Sequence, residues 1–97
     1  MRLAWARPAL NDLAGIRAFI SRDDTGAAET FIRRLREAAE RLRRFPESGS
    51  SREDLRTGLR SIPFERYILF YRLDIDRVVV VRVLHSTRDV SAIFDQD

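Results

Sequence analysis

The residues best suited to chemistry stand together near the carboxyl end, in the run His85-Ser86-Thr87-Arg88-Asp89. His85 is the sole histidine, and an imidazole is the side chain most readily used to carry a proton near neutral pH. Arg88 offers a planar fork of donors that matches phosphate and carboxylate oxygens. The run follows an apolar stretch and so sits at a strand exit, where a sheet can present side chains to a partner or a substrate. Plainer roles compete for the same residues: an imidazole hydrogen-bonded where the strand ends, and an Arg88–Asp89 ion pair or turn cap. No G-x-S-x-G elbow accompanies the histidine. One histidine without any cysteine makes a poor zinc site, and neither a phosphate-binding loop nor a metal-specific spacing of acids is present. The expectation is a protein without cofactor or metal.

Aromatic and basic residues offer a second kind of chemistry. Tyr67, Phe70, Tyr71 and Phe94, interleaved with Arg66, Arg72 and Arg88, could stack nucleic-acid bases. Strand alternation, however, turns about half of such a set into the core. All 18 basic residues are arginine, against 15 acidic ones, for a net charge of +3. Arginine favours bidentate contacts with carboxylates and phosphates, although a GC-rich genome produces the same bias through codon use. So small a surplus is compatible with an acidic protein partner or with weak nucleic-acid contact. The composition, 44% hydrophobic and 34% charged, is that of a globular chain. No apolar run approaches the roughly 20 residues that span a bilayer, the amino terminus lacks a signal-peptide pattern, and the absence of cysteine suits a reducing cytoplasm.

The elements that must position these residues follow from periodicity. Arg2 to Ala6 alternates as a short strand. Pro8 then suits a first helical turn, and Leu10, Leu13, Ile16, Phe19 and Ile20 recur at helical steps up to Arg22. A second helix is expected from about Ala27 to Arg44, capped by Asp24 or Thr25. Its stripe is Phe31, Leu35, Ala38 and Leu42, and its other face carries the i,i+4 pairs Glu29–Arg33, Glu37–Arg41 and Glu40–Arg44. Glu47 to Thr57 reads as a polar loop. Strands follow at Leu59–Phe64, with Pro63 marking an edge or a bulge, at Tyr67–Leu73, and, after an Asp74–Arg77 turn, at Val78–Leu84. Arg82 in that last, apolar strand needs water or a carboxylate. The order β-α-α-β-β-β predicts an α+β fold in one domain spanning residues 1–97, with a helical hairpin on one face of a small antiparallel sheet and the opposite face partly open.

The succession Trp5…Pro8-Ala9…Asp12-Leu13…Ile16…Phe19-Ile20, Ala27-Ala28…Phe31, Leu42…Pro46…Gly49, Arg60, Tyr67…Leu69-Phe70-Tyr71 and Val81-Arg82-Val83-Leu84-His85…Arg88-Asp89 resembles the ParE/RelE toxins of type II toxin–antitoxin modules. The resemblance runs from Trp5 to Phe94. It implies the same helical hairpin on a small sheet, and it implies one of two activities. RelE-like members are ribosome-dependent mRNA endoribonucleases; ParE-like members poison DNA gyrase. Arg88 falls where the nucleases place a transition-state arginine. Their later tyrosine is Phe94 here, which cannot exchange a proton, the arginine expected on the Tyr67–Tyr71 strand is Ile68, and the expected lysines are absent. Arg56 and Arg60 could replace the lysines' charge, though an arginine makes a poor base, and His85 could serve as a substitute proton carrier.

The resemblance is therefore closer to ParE. It implies a growth-inhibiting toxin, not an enzyme, that acts on gyrase through His85, Arg88, Asp89 and Phe94. The alternative is a nuclease using Arg88, His85 and Arg60; a toxin fold that only binds an antitoxin is a third reading. All three imply a small ParD-like antitoxin as partner, expected to contact Phe31, Arg34, Leu35, Arg41, Tyr71 and Arg72, with no sequence-specific DNA binding by the toxin alone and no membrane.

Overall fold

Alternation at the amino terminus makes β1 (Arg2–Trp5), and Pro8 opens α1 (Arg7–Ser21) at a position where its missing N–H leaves no bond unmade. A short turn leads into α2 (Thr25–Glu40), whose cap is Asp24: its carboxylate accepts from the Ala27 N–H at 3.0 Å. The helix tightens into a 3-10 turn (Arg41–Arg43) before Pro46. Then come the two-residue β2 (Ser50–Ser51), β3 (Leu59–Phe64), β4 (Tyr67–Leu73), β5 (Arg77–His85) and a last short helix, α3 (Val90–Phe94). The computed structural model describes residues 1–95.

The five strands form one sheet in the order β1-β5-β4-β3-β2. Its β2–β3, β3–β4 and β4–β5 pairs are antiparallel, but β1 lies parallel to β5, with Leu3 opposite Val78 and Trp5 opposite Val80. The sheet is therefore mixed, where an antiparallel one was expected. Alternation identifies a strand without giving its direction; here β5 presents the edge that β1 takes, since β2 occupies part of the far edge of β3. Pro63 lies beyond the two β3 residues that β2 pairs, Arg60 and Ser61, so its lack of an N–H interrupts no ladder. In β5, Val81 is the extra residue of a bulge facing Phe70 and Tyr71.

Both faces of the sheet are covered. Leu13, Ile16, Ile32 and Leu35 from the helical hairpin pack on Leu69, Tyr71, Val78, Val80 and Val83. The face expected to be open carries a second, smaller core in which Leu59, Phe70, Leu84 and Phe94 meet under α3, with Leu55, Ile68 and Val90 around them. On α1, Ala9, Leu13 and Ile16 are buried while Leu10 and Phe19 point outward, Phe19 with 64% of its surface exposed. The five apolar positions thus do not share a single face; the helix buries a narrower arc, and Ala9 is part of it.

Polar contacts fasten these layers. Arg82 meets the carboxylate of Asp12 on α1 with two hydrogen bonds, at 2.8 and 3.0 Å, and the same carboxylate accepts from the Val83 N–H at 2.8 Å. The phenol of Tyr71 donates to the Pro46 carbonyl at 2.8 Å and accepts from the Gly49 N–H at 2.9 Å. Arg60 closes that knot by donating to the Gly49 carbonyl at 2.8 Å. In the following loop the Arg52 guanidinium hydrogen-bonds the Asp54 carboxylate and holds it below its ordinary carboxylate range. Among the described residues no helix is long and apolar enough to cross a membrane.

Candidate functional site

The last turn of the chain is built by backbone bonds. β5 ends at His85, opposite Tyr67. The Ser86 N–H then donates to the Arg66 carbonyl at 2.8 Å, drawing the strand exit against the β3–β4 turn, and the Arg88 N–H donates to the His85 carbonyl at 3.0 Å. Asp89 does not pair with Arg88. It caps α3, accepting from the Ala92 N–H at 3.2 Å. With Asp89 engaged there, the Arg88 side chain projects into solvent and makes no ion pair among the described residues.

His85 is held on two sides. Its Nδ1 accepts from the Thr87 N–H at 3.2 Å and lies 2.8 Å from the Thr87 hydroxyl. A backbone N–H can only donate, so Nδ1 carries the lone pair and the ring hydrogen sits on Nε2. The ring packs edge-on against Tyr67 at 5.2 Å between centroids. Tyr67 in turn packs on Phe31 of α2 at 5.6 Å, and Phe31 on Phe64 at 5.4 Å. Arg34 lies over Phe64 at 5.6 Å and pairs with Glu65 at 2.8 Å. An aromatic ladder thus runs from α2 through the hairpin end to His85.

The other residues singled out from the sequence separate. Phe94, expected at the target surface, is a core residue with 5% of its surface exposed; its ring packs edge-on to Phe70 at 4.9 Å, with Arg56 over it at 5.0 Å. The five-residue helix that turns it inward was not anticipated, although Asp89 followed by Val90, Ile93 and Phe94 is a cap and an apolar set at helical spacing. Arg60 faces Tyr71, four positions along β4 from the Tyr67 that faces His85; at the ordinary strand rise this is about 13 Å. It belongs to the Gly49 knot and not to the strand exit.

The residues expected to meet an antitoxin do not make one surface either. Leu35 and Tyr71 are fully buried, because each projects from its element into the interface between helices and sheet, so neither can touch a partner in this fold. Arg72 pairs with Asp74 near the β4–β5 turn. Phe31, Arg34 and Arg41 remain at least partly accessible on α2 and the turn after it. The exposed apolar side chains of α1, Leu10 and Phe19, are what the sequence reading missed, because it had assigned them to the core. Among the described residues no three of His, Cys, Asp and Glu gather to hold a metal ion.

Residues 3–90 match the family described as the ParE toxin of the type II toxin–antitoxin system parDE. The chain is 30% identical over 92 residues to Toxin ParE3 of Caulobacter vibrioides, covering 94% of this chain and 92% of that protein. It is 35% identical over 91 residues to Putative toxin Y4kP of Sinorhizobium fredii, covering 88% of each. The fold is similar to that of a chain from the chromosomal ParDE toxin–antitoxin system of P. aeruginosa, with a TM-score of 0.76 at 20% identity, covering 88% of this chain and 95% of that one.

Proposed function

The chain belongs to the ParE toxin family of type II toxin–antitoxin systems, and from that premise we propose that it inhibits DNA gyrase by binding it and stabilising its cleaved-DNA complex. The observation that carries this reading is what surrounds Arg88. A phosphodiester-cleaving site needs a group that takes a proton from the attacking hydroxyl. Phe94, at the position of the nuclease tyrosine, plugs the second core, and Ile68 packs beside it. The Nδ1 lone pair of His85 is used by Thr87, leaving Nε2 as a donor. Arg88 is then an exposed charged fork at the strand exit, and the carboxylate beside it, Asp89, is engaged as the cap of α3, which suits docking better than catalysis.

The toxin's partner within its module is an antitoxin, taken here to be ParD-like, and its contacts are part of the same reading. An amphipathic antitoxin helix needs an apolar strip to lie on. Leu10, Ala14 and Ala18 on α1 offer one on the outer face of the helical hairpin, with exposed Phe19 on the flank opposite Leu10.

Two assays run side by side test the target. Purified toxin is expected to block supercoiling by gyrase and to accumulate cleaved DNA, and to leave ribosome-bound mRNA intact. Cleavage of mRNA in the ribosomal A site with supercoiling unaffected would replace this reading with the endoribonuclease one.

A further inference from the structure

The positive charge of this chain is concentrated in one place. Residues 33–44 hold six arginines against two glutamates, a surplus of +4 where the whole chain carries +3. The structure divides these arginines into two groups. Arg33 pairs with Glu37 at 3.6 Å, Arg34 with Glu65 at 2.8 Å and Arg43 with Glu40 at 3.4 Å. Arg36, Arg41 and Arg44 have no carboxylate within ion-pairing distance among the described residues. Arg36 lies over the Trp5 ring at 5.3 Å and Arg44 over the exposed Phe45 ring at 5.7 Å, which steadies the guanidinium planes while leaving their edges to donate.

We propose that the face formed by Arg36, Arg41 and Arg44 binds duplex DNA through its phosphate backbone, without sequence preference. The first argument is the character of the face. Its outward positions along α2 and the 3-10 turn are Arg33, Arg36, Glu37, Glu40, Arg41, Arg43 and Arg44, all charged, and the apolar residues between them are buried. A peptide segment that orders on binding needs several apolar anchors to offset its lost entropy, and beside these charges stands a single exposed ring, Phe45, with Arg44 over it. A polyelectrolyte needs only charge, because neutralising phosphates releases condensed counterions.

Shape favours a duplex over a single strand. Single-strand binders track the backbone in a groove with aromatic platforms, whereas this face is the convex outside of a helix. Arg36 and Arg44 are about 12 Å apart along the axis, the span of three to four phosphates on one strand of a duplex. The inference stands apart from the gyrase reading, since it concerns the isolated toxin with no gyrase present.

The test is fluorescence anisotropy of a labelled 20-base-pair duplex of mixed sequence, titrated with the antitoxin-free toxin at salt concentrations from 50 to 200 mM. Three phosphate contacts give a log–log salt slope of about −2.7, an affinity loss of about 40-fold across that range. Arg41→Gln/Arg44→Gln is expected to flatten the slope to about −0.9, and Arg41→Lys/Arg44→Lys to keep it near the wild-type value. Both side chains are exposed, so circular dichroism should show an unchanged fold. Absence of binding at 50 mM salt, or an unaltered slope in the glutamine variant, would overturn the proposal. Tighter binding of a 20-nucleotide single-stranded RNA would overturn it as well. A 20-residue polyglutamate peptide that binds more tightly than the duplex would reassign the face to an acidic protein.

Discussion

Arg88 and Asp12 show how differently two charged residues can be used in one small domain. Arg88 sits at a strand exit, exposed and without an ion-pair partner among the described residues, so on the proposed gyrase reading its removal takes a contact from the target and nothing from the core. Arg88→Ala is expected to weaken gyrase inhibition at least tenfold, the scale of an interfacial anchor, while the thermal midpoint moves by no more than a few degrees. A variant as potent as the parent in a supercoiling titration would remove Arg88 from the interface. Asp12 is the opposite case. Its carboxylate meets both Arg82 and the Val83 N–H, and Asp12→Ala takes two hydrogen bonds from a partly buried guanidinium and the acceptor from a backbone donor. The expected cost is about 3 kcal/mol, or about 12–24 °C in midpoint for a domain of this size. A melt within a few degrees of the parent would show that water replaces the carboxylate.

At the level of elements, the knot around Tyr71 decides where the long loop begins. A Cβ added at Gly49 would lie 2.6 Å from the Tyr71 hydroxyl and 2.8 Å from the Ser61 carbonyl oxygen. A backbone atom cannot step aside as a side-chain tip can. Gly49→Ala should therefore cost about 1–3 kcal/mol, read as a lower denaturation midpoint, and a neutral result would mean that the loop shifts freely. On α1, Phe19→Asp should weaken antitoxin binding about tenfold or more in calorimetry with little change in stability, because the ring is already in water; unchanged affinity would place the antitoxin elsewhere.

These same elements mark how far the sequence was legible. Helical and two-residue periods located both helices and the three long strands, and Arg82 duly found a carboxylate. Periodicity says nothing of strand direction, so the parallel β1 was missed. It also overstated the buried arc of α1 and overlooked a five-residue helix too short to show a period. That last omission left Phe94 at the surface and the sheet face open, which gave the strand exit more chemistry than it has. The ion pairs on α2 were also misregistered: Glu29 turns to Arg17 at 3.0 Å, Glu37 to Arg33 and Glu40 to Arg43. Exposed pairs of this kind differ by only a few tenths of a kcal/mol, so sequence order cannot select among them.

Taken whole, the molecule keeps its three proposed recognition features apart: an apolar strip on α1, a basic face where α2 ends, and Arg88 at the exit of β5 beside an aromatic ladder. Two cores, one on each side of the sheet, hold them in fixed relation. Such an arrangement would let an antitoxin cover one surface while the target-directed residue lies on another, and neutralisation would then come from bulk that excludes the target. The most direct measurement is the amount of gyrase-linked cleaved plasmid formed with purified toxin, with Arg88→Ala toxin, and with toxin preincubated with its antitoxin. Cleaved complexes should accumulate with the first and fall toward background with the other two. Background levels with the wild-type toxin, at concentrations that arrest growth, would contradict the gyrase assignment.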